Sequence, residues 1–235
     1  MSIAEKIIRA KTDLDEVYEA GKKSEYDRFW DAIQTNGERT SYNYTFYGAG
    51  FDDTNFEPKY DFRLTSGLYM FSTSAIVDIV GILKKQNIIL DTSKATSVQA
   101  MFQGCKKLKK APKIDLSSVG AVSANMLFNS CTSLEEVEEV VFHSGITSTA
   151  SMFAWCSELK HLKISGEIAC SVDVGYSPLD AESLVSVVEH FSTTATGLTL
   201  TVKQSAVNNA DWSKTNYASW DELKAIRPNL GFAYR

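Results

Sequence analysis

The sequence predicts a short α+β solenoid of parallel strands, entered through an N-terminal helix and closed by a C-terminal α/β cap. Three observations carry that prediction. One phrase is written three times with its cysteines 26 and 25 residues apart: Met101-Phe102-Gln-Gly-Cys105-Lys-Lys-Leu108, Leu127-Phe128-Asn-Ser-Cys131-Thr-Ser-Leu134 and Met152-Phe153-Ala-Trp-Cys156-Ser-Glu-Leu159. A heptad-spaced apolar seam precedes the phrase, and helical and strand periodicities alternate after it. A period of this size means stacked supersecondary units, because each unit has an apolar face too small to bury without its neighbour.

Residues 1–36 read as the N-terminal helix. Ile3, Ile7, Ala10, Leu14, Val17 and Gly21 recur in alternating steps of four and three, with charged residues between. Such a seam suits a coiled coil and a homo-oligomer, although it also suits an amphipathic helix packed on its own domain, and Thr12 can cap a second helix. Residues 37–66 form an aromatic-rich N-terminal cap. There Tyr42, Tyr44 and Phe46 alternate with Asn43, Thr45 and Tyr47, which predicts a strand ending at Gly48-Ala-Gly50. Eight aromatics in the 21 residues from Tyr42 to Phe62 would close the open end of the stack; a platform for stacking sugars is the other use of such rings.

Residues 67–175 hold the repeats. Met101, Phe102, Cys105 and Leu108, then Leu127, Phe128, Cys131 and Leu134, then Met152, Phe153, Cys156 and Leu159 are the expected repeat core, and Met70-Phe71 begins a degraded earlier copy. Three cysteines at one repeat position stack in a column instead of converging on a point. They therefore read as small core hydrophobes, without the geometry of a disulfide. Cys170, His143, His161 and His190 are too scattered to complete a zinc site. Lys109-Lys110, Glu135-Glu136 and Lys160-His161 occupy equal positions in consecutive turns, so they should form plus, minus, plus columns that fix the stacking order. Glu138 and Glu139 fall outside those columns, and charge reversal at Glu135 and Glu136 is expected to cost more than reversal there.

Residues 176–235 read as the C-terminal α/β cap. Leu184, Val187, Val188 and Phe191 share one face of a helix over 178–191, residues 198–202 alternate as a strand, Ser219 opens a capping box with Glu222, and a last strand surrounds Phe232. Trp212 and Trp220 are expected to pack beneath this cap.

Asp91-Thr-Ser-Lys-x-Thr96, four further residues and then Met-Phe-x-x-Cys-x-x-Leu resembles the bacterial surface protein repeat of the BspA-like leucine-rich repeat class, best over residues 90–164. The resemblance implies a leucine-rich-repeat solenoid with one short parallel strand per turn, and a role in adhesion or in protein or glycan recognition. The segment from Tyr26 through Phe29, Trp30 and Ile33 to Tyr44 is similar to the N-terminal part of such proteins encoded by phages and prophages of Gram-positive bacteria. That similarity implies a tail-associated virion protein whose partners are other virion proteins or a bacterial surface glycan or protein.

Composition sets the outer bounds. A chain of 235 residues with 44% hydrophobic and 23% charged residues can bury a real core. A net charge of -5 gives no footprint for nucleic acid and none for anionic membrane. No run approaches the roughly 18 apolar residues of a membrane span, and the first 23 residues are charged throughout. The expectation is a chain made in the host cytoplasm with no signal peptide, membrane anchor or membrane insertion. No phosphate loop, metal pair or nucleophile elbow is present. The run Glu135-Glu136-Val-Glu138-Glu139 is the one candidate acid–base pair for glycoside hydrolysis, and it reads first as a solvated face. The expected function is non-enzymatic recognition with no cofactor; a structural or assembly role with only protein partners is the alternative. Light scattering tests the seam: the full chain should have the mass of a dimer or trimer, and a chain beginning at Gly37 the mass of a monomer.

Overall fold

The computed structural model describes residues 40–48, 51–54, 56–117 and 122–235. The expected N-terminal helix over 1–36, with its seam residues Ile3, Ile7, Ala10, Leu14 and Val17, lies outside the described residues. Within them the chain is mixed α/β, with few helices and small parallel sheets, none closed into a barrel. In chain order the elements are β1 Phe62–Arg63, α1 Ile79–Gln86, β2 Leu90–Asp91, β3 Lys110–Ala111, β4 Ile114–Asp115, β5 Val122–Ser123, β6 Glu136–Phe142, β7 Ile146–Ser148 and β8 His161–Gly166. They continue with β9 Val172–Asp173, α2 Ala181–Glu189, β10 Thr199–Val202, α3 Gln204–Asn209, a 3-10 turn Trp212–Lys214, α4 Trp220–Ala225 and β11 Gly231–Tyr234. Every pairing between these strands is parallel.

Five phenylalanines form the axis of the core. Phe46, Phe71, Phe102, Phe128 and Phe153 are stacked ring on ring, with centroids 5.2, 5.3, 5.6 and 5.8 Å apart and interplanar angles of 19° or less. On either side of each ring the backbone enters the left-handed region. The pairs are Tyr44 and Gly48, Tyr69 and Thr73, Ala100 and Gly104, Met126 and Ser130, and Ser151 and Trp155, all with φ between 53° and 71°. Between two such bends, alternate N–H groups point along the stack. Tyr42, Tyr44, Phe46 and Gly48 donate to the carbonyls of Ser66, Leu68, Met70 and Ser72, and the same four rungs join each later pair of turns at 2.8–3.1 Å. None of the repeat-core side chains from Met101 to Leu159 is more than 1% exposed.

The cysteines complete this arrangement. The Sγ of Cys105, Cys131 and Cys156 donates to the carbonyl of Phe71, Phe102 and Phe128 respectively, at 3.0–3.1 Å, one turn back in each case. All four cysteines are free thiols.

At the N-terminal side the structure corrects one expectation and adds one element. No strand forms over residues 41–47: the stretch is a further turn of the stack, with Tyr42 and Phe46 buried and Tyr44 bent out at φ 56°. The alternation of aromatics reflects a bend and not a pleat. Helix α1 is the second difference. Asp78 caps it by accepting from the Gly81 N–H at 2.8 Å, and its insertion stretches the step between equivalent residues of two turns, Ser74 and Cys105, to 31 residues. Phe51 and Phe56 pack edge-on against Phe46 and cover the first turn.

At the other end, β8 would present an unpaired edge. Helix α2 removes it with two hydroxyls one helical turn apart. Ser183 accepts from the Leu162 N–H at 2.9 Å and donates to the Lys160 carbonyl at 3.0 Å; Ser186 accepts from Ile164 at 2.8 Å and donates back to its carbonyl at 3.3 Å. The rest of the C-terminal region packs behind α2 around the sheet β9–β10–β11. Ser219 caps α4, while Glu222 accepts from Ala218 rather than from Ser219 itself. Trp220 is buried against Phe232, and its indole N–H donates to the Tyr234 hydroxyl.

Backbone geometry makes a paired prediction. Non-glycine residues in the left-handed region cost about 1–2 kcal/mol, part of which glycine returns through unfolded-state entropy. Ser130→Gly should therefore stabilise the fold by about 0.5–1 kcal/mol in urea denaturation. Gly166→Ala should do the reverse and cost more than about 2 kcal/mol, since φ is 75° and an added Cβ would sit 2.0 Å from the Phe142 carbonyl oxygen.

Candidate recognition surface

The stack exposes two chemically different faces. The first is the face of β3, β6 and β8, flanked by α1 and α2. Register places Lys110 beside Glu136 and Glu136 beside His161. Lys109 meets Glu135 at 3.0 Å and Lys110 meets Glu136 at 2.9 Å, so the first two members of the expected charge columns do pair. The third does not follow. His161 turns its Nδ1 to Asp180 at 2.7 Å, because the carboxylate that caps α2 lies closer than the neighbouring strand.

Glu138 and Glu139 also correct the sequence expectation, for they lie inside the charge network. Lys84 of α1 reaches Glu138 at 2.7 Å, and Glu139 lies between Lys113 at 2.9 Å and Lys163 at 3.3 Å with its side chain only 16% exposed. The Lys113 ammonium holds the Glu139 carboxyl below the usual range, as the Lys109 ammonium does for Glu135. A general acid for glycoside hydrolysis needs the opposite shift. A groove of about 250 Å³ runs between β6, β8 and α2, walled by Glu136, Glu138, His161, Lys163, Asp180 and Glu182.

Hydrogen bonding from Cys131 and Ser74 lowers the Cys105 thiol, which is buried at 1% exposure, and the other three move the opposite way. Burial pushes Cys131 up and Cys156 up to about 12, and raises Cys170 as well. Among the described residues no group of three or more His, Cys, Asp or Glu is placed to hold a metal ion, and no helix is long and apolar enough to cross a membrane.

The second face is made by the bends, and it carries no charge. The five segments 40–48, 65–73, 96–104, 122–130 and 147–155 contain no Asp, Glu, Lys, Arg or His, in a chain where charged residues are 23%. Serine stands five residues before every stacked phenylalanine, at Ser41, Ser66, Ser97, Ser123 and Ser148. The column two positions on holds Asn43, Leu68, Gln99, Asn125 and Ala150, partly or fully exposed. The Asn43 amide oxygen accepts from the Ser66 hydroxyl at 2.6 Å and from the Leu68 N–H at 3.0 Å, and the Asn125 oxygen accepts from the Ala150 N–H at 3.0 Å. At the N-terminal end three tyrosines cluster: Tyr44 is stacked on Tyr69 at 5.0 Å, and Tyr47 meets both edge-on at 5.9 and 6.2 Å. At the other end the ring of Trp155, 58% exposed, is centred 4.7 Å from that of Tyr176, and the Arg235 guanidinium lies 4.2 Å from the same tyrosine ring.

No protein-family model, curated protein or solved structure matches this chain.

The network on the charged face predicts an order of effects. Glu139→Lys should cost about 1–2 kcal/mol by loss of two partly shielded pairs, and should lower the melting temperature more than Glu135→Lys, whose pair is fully solvated. The depressed carboxyls of Glu135 and Glu139 stabilise the fold above their unfolded value, near 4.5. That contribution should disappear as pH falls below this value through the folded ones, and thermal melts from neutral to acid pH should show it less in Glu139→Gln.

Proposed function

We propose that the chain is a non-enzymatic recognition module: a solenoid of BspA-like leucine-rich repeats that presents an extended surface to a component of the bacterial envelope, as a tail-associated protein of a phage or prophage particle. The observation that carries this reading is the five-turn stack, whose equivalent positions form continuous outward columns. A catalytic pocket needs convergence of unlike groups, whereas this geometry repeats like groups at one spacing. Neutralisation of Glu135, Glu136, Glu138 and Glu139 by lysines supports the absence of acid–base chemistry. The link to a phage particle rests on the sequence resemblance of the N-terminal segment.

Sedimentation of the full chain with intact Gram-positive cells and with isolated wall tests the proposal. Retention on wall with no release of reducing sugar is the expected result. Retention only by proteins of the particle would assign the chain to particle architecture instead, and sugar release would make it an enzyme.

A further inference from the structure

We propose that the charge-free face binds an uncharged polysaccharide, with Tyr44, Tyr47 and Tyr69 as its ring-stacking platform. This rests on the recognition reading above and names the ligand class and the face that takes it.

Four observations lead there. The absence of any aspartate, glutamate, lysine, arginine or histidine from the five bend segments leaves no side chain within them to neutralise an anionic or cationic ligand. Hydroxyl and amide groups take the place of charge. Because the amide oxygens of Asn43 and Asn125 already accept from within the fold, their N–H groups are left to donate outward, and sugar hydroxyls accept such bonds.

The tyrosines supply the second requirement of sugar recognition, a flat apolar surface with a polar edge. Tyr44 and Tyr47 are 38% and 45% exposed, although Phe51 and Phe56 already cover the end of the core. Tyr44 and Tyr69 also hold left-handed conformations at φ 56° and 54°, where a bulky side chain is an outlier. The equivalent residues Ala100, Met126 and Ser151 share that conformation, so the bend belongs to the stack and the tyrosines are the side chains it turns outward. Finally, successive turns repeat at about 4.8 Å, so from the tyrosine cluster to Trp155 the face runs for about 19 Å along an unbroken column of serines, Ser41, Ser66, Ser97, Ser123 and Ser148, a form that fits a polymer of repeating units. A protein partner would call for arginine or aromatic anchors at the centre of the patch; its centre holds Gln99, Gln103, Asn125 and Asn129 around a partly exposed Met126.

The test applies the full chain to an array of neutral and acidic oligosaccharides and, in parallel, to protease-stripped wall from Gram-positive cells. Binding to neutral glycans, unchanged between low and high salt, is expected. Tyr47→Ala and Tyr69→Ala should each weaken it about fivefold, with melting temperatures near that of the parent chain as the check on folding. Binding to acidic glycans alone, equal binding by the parent and both variants, or no glycan binding at all would overturn the proposal. Retention of parent and variants alike on stripped wall would leave the recognition reading standing while this face falls; loss of wall binding by the parent itself would remove both.

Discussion

Each stacked phenylalanine is held between two residues in the left-handed region, and that pair of bends determines what the surrounding chain can do. The bends turn the backbone so that four N–H groups project along the stack, where a solitary turn has no acceptors for them. Left buried and unpaired, each would cost about 1–3 kcal/mol. A second turn in the same conformation supplies four carbonyls in register, and its own N–H groups then call for a third. Net hydrogen bonding of about 2–6 kcal/mol per interface is of the same order as the cost of two left-handed residues, about 2–4 kcal/mol. Burial of the phenylalanine and its methionine or leucine neighbour, at about 1.5–3 kcal/mol each, decides the balance in favour of stacking.

The strict copies of the repeat were legible because they keep Met or Leu, Phe, Cys and Leu at fixed spacing. The first copy was hidden. Thr45 stands where the others have methionine or leucine, and the alternating aromatics of residues 42–46 imitate a pleated strand. A different column would have revealed it, the serine five residues before each phenylalanine, which is kept in all five turns. Serine is easily overlooked in a sequence because its commonness masks its periodicity. Helix α1 leaves no clear signature in the sequence, since eight residues inserted in a longer turn present barely two turns of periodicity. Missing it concealed the partner of Glu138, because Lys84 lies on that helix. Pairing of Lys109 with Glu135 was visible, as both belong to the repeat; that of His161 with Asp180 joins the repeat to the C-terminal region and has no periodic signature.

The candidate surface was legible only by what it lacks. Motif searches look for charged and nucleophilic residues, and the bends contain none. Their neutrality becomes informative once the turns are aligned and the columns seen to share one side of the stack. Segregation of this kind has an electrostatic logic. Ionic pairs across β3, β6 and β8 order the strands where long side chains can reach one another, whereas the tight bends bring equivalent residues of successive turns into close columns in which like charges would repel.

Closure of the β8 edge by Ser183 and Ser186 has a consequence for how such a molecule changes over generations. Both hydroxyls engage main-chain atoms alone, so the terminating helix recognises any strand of the right backbone shape. Gain or loss of a whole turn by unequal recombination would leave that junction chemically intact. The length of the array is thus a trait free to drift while its ending stays constant.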